Sequence, residues 1–348
     1  MEKKNKLSLQ LDVSDFLPAD ESEKQSLVVM RESVSFWRDG VRRFKKNKIA
    51  MTSLIVIIFI MFFAFVMPGI YPYSYEQQIR GSENLAPMEY SEKELALIEA
   101  GEDVFPHILG TDSLGRDTMV RLMYGSRISL LVGIVASVLV LIIGSLYGTI
   151  AGYFGGRVDM IMMRIVDIIY TVPDILIIIL LMVTLKYPLQ SLAANVPGFA
   201  WIDTIGVGLI CIFIVFSLLY WVGMARIVRS QILTVKEMEY VTAAKALGSS
   251  HPKIIRKHLL PNVMGTLIVT TTLQIPSAMF TESFLSFIGI GVSAPMPSLG
   301  SMTALAIDGV YSYPYRLLAP ALMISLIIFS FNLLGDGLRD AFDPKLKD

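Results

Sequence analysis

Thr270, Gln274, Ser277 and Thr281 recur at i, i+4, i+7 and i+11, with Glu282 beside them and Pro276 between. On a helix that spacing draws one polar stripe. The stretch is otherwise apolar, and in a bilayer such groups need partners. A carboxylate at the centre costs roughly 2.5–3.5 kcal/mol on insertion scales and must face protein or water. The stripe is expected either to line a polar path or subunit contact, or to bond to its own helix while Gln274 glues neighbouring helices. Glu282, near the outer end of its segment, is expected at an interfacial position. Asp174, which follows Pro173, and Asn332 are further candidates for the same path. An intrahelical pair with Arg164 accounts for Asp167, and a solvated turn in "GDGLRD" accounts for Asp336.

Covalent and metal chemistry find little support. The three histidines, His107, His251 and His258, form no H-E-x-x-H, and there is no G-x-S-x-G. No metal site and no catalytic residue is expected. The one cysteine, Cys211, lies in an apolar run, which rules out a disulfide framework. No G-x-x-x-x-G-K-[ST] phosphate cradle occurs, so this chain is expected to bind no nucleotide cofactor. "GIGVSA" follows an apolar segment, not a strand, and is no dinucleotide fingerprint. A net charge of zero argues against a nucleic-acid partner.

The elements that must position these residues are membrane spans. Of 348 residues, 54% are hydrophobic and 17% charged, a balance that lipid-facing surfaces require. A bilayer core of ~30 Å takes roughly 20 apolar residues as helix. That ruler gives about six segments: Ala50–Tyr71, Leu130–Gly152, Met160–Leu185, Ile205–Met224, Val263–Ile290 and Leu318–Leu334. Helices satisfy their own backbone groups in lipid, so the fold class is all-α, a polytopic membrane protein. The polar start of the chain lacks the apolar core of a signal peptide. Arg38, Arg42, Arg43, Lys45, Lys46 and Lys48 precede the first span, and Arg157, Arg164, Arg226, Arg229, Lys236, Lys245, Lys253, Arg256, Lys257, Arg339, Lys345 and Lys347 fall on the same side. Lys186 and Arg316 lie opposite; Arg121 and Arg127 run against the trend. Both termini are therefore expected in the cytoplasm. The resulting division is a tail at 1–49, a transmembrane domain at 50–340 with an outer loop at 71–127 and a cytoplasmic segment at 225–262, and a tail at 341–348. In the outer loop "SEKELALIEAG" reads as a capping box, with Ser91 as N-cap, Glu94 three residues on, and Gly101 as the stop. Met119, Leu122 and Met123 share a helical face, as an interfacial elbow would.

The cytoplasmic segment contains "EYVTAAKALGSSHPKIIRKHLLPN", Glu239–Asn262. Tyr240, Ala243, Ala244 and Leu247 form one apolar stripe, Gly248 is a C′ stop, and Ser249 and Ser250 can cap a second helix. Pro252 suits the first turn of that helix, and Pro261 is expected to keep it from running straight into the next span. Small residues at Ala243, Ala244 and Gly248 would let another backbone approach. The block resembles the "EAA" loop of ABC-importer permeases. Ala243, Ala244, Gly248, Leu260 and Pro261 match its spacing, whereas Thr242 stands where Glu is usual and His258 where Ile is usual. Glu239 lies three residues before the usual acid. "FWRDGVRRFKKNKIA", "LGTDSLGRD", "GSRISLLVG", "AGYFGGRVDMIMMRIVD", "ESFLSFIGIG" and "FNLLGDGLRDAFDP" resemble, in order, the C-type subunit of dipeptide/oligopeptide permeases, from about Phe36 to the end.

The resemblance implies a type I ABC importer permease architecture and a loop that inserts into a cleft on an ATPase. It implies a second permease, two ABC ATPase subunits that bind ATP and Mg, an extracytoplasmic substrate-binding protein and a peptide substrate, in the plasma (inner) membrane of a prokaryote. The ATPase-contacting residues would be Glu239, Ala243, Ala244, Gly248, His258, Leu260 and Pro261. A permease for nickel or another small solute, a secondary transporter driven by an ion gradient, and an intramembrane enzyme remain as alternatives.

Overall fold

The computed structural model describes residues 36–292 and 294–342. The outer parts of the two tails, 1–35 and 343–348, lie outside the described residues. Contacts divide the chain into Met1–Asp39, of which residues 36–39 are described, and Gly40–Asp348, which holds the helical bundle. Helix α1, Phe36–Lys46, leads to Asn47, whose side chain caps α2, Lys48–Phe65. Next come α3, Glu92–Glu99, and α4, Thr118–Phe154, capped by Asp117. Then follow α5, Gly156–Tyr170, α6, Asp174–Asn195, and α7, Trp201–Ile205. Helices α8, Val207–Leu219, and α9, Trp221–Lys236, join at Tyr220. The chain continues through α10, Glu239–Ala246, and α11, His251–Ile254, to a π turn at Ile255–Leu259. It ends in α12, Leu260–Phe287, α13, Leu299–Ile307, and α14, Tyr315–Phe342.

Six of these stretches are long and apolar enough to cross a membrane: Lys48–Gly69, Thr118–Phe154, Asp174–Asn195, Val207–Lys236, His251–Phe287 and Tyr315–Phe342. The number agrees with the hydropathy reading, but several bounds differ. The third span is not Met160–Leu185. Pro173 has extended backbone, and proline disfavours helical geometry in the residue before it, so the apolar run breaks into α5 and α6. The second helix begins at Thr118, inside the stretch read as outer loop. Leu122 and Met123, expected in an interfacial elbow, are core residues instead. Pro261 does not interrupt the chain either. It follows the π turn within helical backbone that runs unbroken from α11 into α12, and the turn's wider spacing is where the proline's missing N–H is accommodated. Ser250 holds the N-cap position of α11 without a side-chain bond. Asp336 lies within α14, so "GDGLRD" is helix, not turn.

The central contact is α4 against α9. Gly144, Gly148 and Gly152 place a ridge without β-carbons along α4. A β-carbon on Gly144 would stand 2.6 Å from Met224 Cβ, one on Gly152 2.9 Å from the Arg229 carbonyl oxygen, and one on Gly148 would overlap the Ala225 carbonyl oxygen. At the other end of α4, Glu282 ties α12 to its surroundings. It is fully buried, not interfacial, and accepts from Ser129 Oγ and Ser286 Oγ at 2.7 Å each and Ser283 Oγ at 3.3 Å. Hydroxyl donors from two helices thus replace water around the carboxylate. The two arginines that defied the charge trend are structural too. Arg121 is buried, and Arg127 donates to the last carbonyls of α2, Ala64 O at 2.9 Å and Phe65 O at 3.2 Å, where a cation offsets the helix dipole.

The connection from α2 to α4 carries the expected capping box. Ser91 accepts from Glu94 N, and Glu94 Oε2 accepts from Ser91 N at 2.8 Å. Glu94 Oε1 also accepts from His107 Nε2 at 3.0 Å, while His107 Nδ1 donates to Asp117 Oδ2 at 2.8 Å. Carboxylates only accept, so a ring that donates from both nitrogens is an imidazolium. Burial opposes that charge, yet the bonds and charges of Asp117 and Glu94 raise His107 above the ordinary imidazole range. Burial likewise opposes ionisation of Glu94, but the Ser91 backbone and hydroxyl and His107 hold its carboxyl below the usual range.

Two expectations follow from these contacts. Gly148→Val should destabilise the α4–α9 pair by about 1–3 kcal/mol, read as a lower Tm in lipid nanodiscs; an unchanged Tm would remove the ridge as a constraint. The raised His107 contributes stability that is complete below about pH 6.5 and is lost as pH climbs through its value in the fold. The lowered Glu94 contributes above about pH 4.5 and fades on acidification through its lowered value. Hydrogen-exchange protection of residues 85–117 should therefore be greatest between those limits and fall as pH rises through the raised value of His107, and His107→Gln should abolish the fall. Protection independent of pH in the wild type would contradict the assignment.

Candidate functional site

Two surfaces of the bundle collect the residues singled out by sequence. The first is the bend after α9. Lys236 Nζ donates to the Gly152 carbonyl at 2.9 Å, which fixes the end of α9 to the end of α4. Helix α10 then turns Val241 and Ala244 inward, with Val241 packed among Ile254 and Leu259. Ala244 is thus used inside the chain and is not free to meet another backbone. Gly248 N donates to Lys245 O and Ser249 N to Ala244 O, the Schellman pair. Gly248 has φ +74°, and no atom within 4 Å would meet a β-carbon there. Its backbone conformation, not crowding by this chain, accounts for the glycine.

The outward face of the bend is apolar and bare. Leu247 is 86% exposed and Tyr240 43%, with Ala243 beside them. The apolar stripe predicted from spacing therefore splits, Ala244 facing in and Tyr240, Ala243 and Leu247 facing out. Glu239 is exposed at the first turn of α10, where an acid is stabilised by the helix dipole alone. His258 is half-buried with its ring 6.3 Å from that of Tyr240, Leu260 packs under the bend, and Pro261 is exposed. Sequence reasoning missed the tie that holds the bend. The Tyr153 hydroxyl and His251 Nδ1 share a hydrogen bond of 2.6 Å across the gap between α4 and α11.

The second surface is a cavity of about 210 Å³ at the break between α5 and α6. Asp174, Tyr220, Gly223, Gln274 and Ser277 border it, with apolar side chains between. Three residues from the sequence list, Asp174, Gln274 and Ser277, thus converge from two distant segments. Thr281 joins them indirectly. Its hydroxyl donates to the Ser277 carbonyl at 3.1 Å and shares a 2.6 Å hydrogen bond with the Tyr220 hydroxyl. Thr270, Asn332 and the buried Glu282 do not border the cavity. Tyr220 was not found by sequence, because in an apolar run one tyrosine looks like membrane ballast; its place at the α8–α9 joint gives it the role. Asp174 has no cationic partner within 4 Å among the described residues, whereas Asp167 pairs with Arg226 at 2.8 Å, not with Arg164. That pair and the Arg226–Tyr170 stack at 4.2 Å hold α5 against α9 beside the cavity. A carboxylate, an amide and hydroxyls on an apolar wall suit weak, reversible contact with a polar ligand.

Comparison with known proteins covers nearly the whole chain. Residues 144–348 match the family described as binding-protein-dependent transport system inner membrane component. Residues 35–87 match the N-terminal TM domain of oligopeptide transport permease C. The dipeptide transport system permease protein DppC of Bacillus subtilis (strain 168) is 42% identical over 333 residues, 95% of this chain and 93% of that one. The oligopeptide transport system permease protein OppC of the same organism is 40% identical over 332 residues, 95% of this chain and 97% of that one. Among solved structures, a chain of the MetNI methionine ABC transporter in an inward-facing conformation superposes with a TM-score of 0.50 at 18% identity, over 64% of this chain and 97% of that one. That last likeness is one of fold.

Proposed function

The chain belongs to the family of binding-protein-dependent transport system inner membrane components, and from that premise we propose that it is the membrane-spanning permease subunit of an ATP-driven peptide importer. Relatives at 42% and 40% identity are named as dipeptide and oligopeptide transport permeases, which favours peptide as the cargo over nickel or another small solute. The chain works in the plasma membrane of a prokaryote with both termini in the cytoplasm, beside a second permease. Two ABC ATPase subunits bind and hydrolyse ATP with Mg, and an extracytoplasmic binding protein delivers the peptide. This chain performs no covalent chemistry.

The observation that carries the reading is the bare bend at Tyr240–Gly248. An 86% exposed leucine outside the spans is apolar surface without a lipid partner, and it suits insertion into a cleft on an ATPase. Movement of that cleft pushes α10. Because Lys236 and the glycine ridge bind α9 to α4, and Tyr153 binds α4 to α11, the push reaches both long helices as one body. It arrives at the α8–α9 joint, where Tyr220 borders the cavity. The cavity then serves as one wall of the path, with Asp174, Gln274 and Ser277 offering transient polar contacts.

Leu247→Asp and Gly248→Arg should each leave the protein inserted but lower peptide uptake at least tenfold, with loss of co-purifying ATPase. Uptake and association at wild-type levels would remove the bend as the coupling surface. Gln274→Leu should change uptake kinetics while the complex still assembles, and unaltered kinetics would take the cavity off the path. Uptake of labelled peptides, compared with nickel, in cells carrying the wild-type or Leu247→Asp chain identifies the cargo.

A further inference from the structure

The Thr118 end of α4 gathers positive charge that the chain does not neutralise. Arg116, Arg121 and Arg316 are buried there, and among the described residues Asp112 is the one carboxylate within 4 Å of any of them. Asp112 is already engaged. Its Oδ1 accepts the Leu114 and Arg116 backbone N–H groups, and its Oδ2 accepts Arg116 Nε at 2.7 Å. Arg121 Nε stands 3.6 Å from that oxygen and donates through Nη1 to the Tyr75 carbonyl at 3.2 Å. Arg316 meets neutral groups alone: the Thr111 carbonyl at 3.1 Å, the Asn84 side-chain oxygen, and the face of Tyr313 at 4.3 Å. Guanidinium does not give up its proton in proteins, and a buried charge without a counter-charge is strongly unfavourable.

Arg121 and Arg316 border a cavity of about 30 Å³, with Asp112 and Ser113 of the preceding loop on one side and Met302, Leu305 and Ala306 on another. A water needs roughly 10–15 Å³ of such space, so the cavity admits one small ion and excludes larger organic ligands. Thr118 also lines it. The residue is 4% exposed, and its hydroxyl has no hydrogen-bond partner. A buried donor left unpaired asks for an acceptor. Two guanidiniums and a hydroxyl face the one lining carboxylate, Asp112, which is already engaged by Arg116 and two backbone N–H groups; donors and positive charge remain in excess. A water would fill the volume without balancing the charge.

We propose that this cavity binds one small monovalent anion, a chloride ion or a carboxylate of formate size, held by Arg121, Arg316 and the Thr118 hydroxyl. The ion staples four pieces of chain: the loop at 111–117, the start of α4, α13 and the outset of α14. It acts independently of the cargo path and of the coupling bend.

The test uses the full chain in lipid nanodiscs, with sodium gluconate replaced at constant ionic strength by sodium chloride, bromide or formate. Hydrogen exchange across residues 111–121 and 302–316 should slow saturably in chloride and bromide if a halide is the occupant, or in formate if a carboxylate is. Thr118→Val should raise the half-saturating concentration about tenfold, as loss of a hydrogen bond to a charged group does. Thr118→Asp, which supplies its own carboxylate, should keep the segment protected in gluconate and remove the anion response. Equal exchange in all salts, or a response unchanged in both variants, would overturn the site.

Discussion

The approach of α9 to the glycine ridge of α4 is the contact on which the rest depends. Lipid tails are as apolar as the side chains they would replace, so burial of apolar surface does not drive helices together inside a bilayer. Packing does, and packing strengthens as backbones draw near. Gly144, Gly148 and Gly152 let the carbonyls of Trp221, Ala225 and Arg229 sit where β-carbons would otherwise be. The pair becomes stiff, and the bend that follows α9 inherits that stiffness through Lys236.

The two ends of α4 are built on different principles. Toward the Thr118 end several polar groups are internal and paired: His107 between two carboxylates, Glu282 among serines, Arg127 on the carbonyls that close α2. The Glu282–Ser129 and Arg127–Ala64 bonds join segments far apart in sequence, which ties this end into a frame. At the Phe154 end the bend turns apolar side chains outward and leaves them uncovered by this chain. A frame at one end and a handle at the other suit a chain that receives force from a partner. The cavity at Tyr220 lies where the helical line is weakest, at the joint of α8 and α9 and beside the proline break before α6.

Substitutions in this chain differ in kind according to which part they touch. A β-carbon on the ridge alters how close two backbones come. A charge at Leu247 changes the exposed apolar face of the bend and leaves the buried contacts of Val241 and Ala244 in place. The Asp174, Gln274 and Ser277 positions belong to neither class, because they border the cavity.

The sequence by itself determined the number of spans, the all-α class and the position of the bend. Span hydropathy is a local sum, and the Ala243–Gly248 spacing with a Schellman glycine is a local backbone property. The capping box at Ser91 was legible for the same reason. The tertiary structure decided what each polar residue is for. Glu282 and Asp174 look alike in sequence, yet one is enclosed by serines from two helices and the other opens onto a cavity. Asp167 chose Arg226 over the nearer Arg164, and Ala244 turned inward while Ala243 turned out. Such outcomes rest on which helix lies alongside. That in turn was set by the missing β-carbons of α4, a signal present as glycine at every fourth residue but meaningful only once a partner helix is in place.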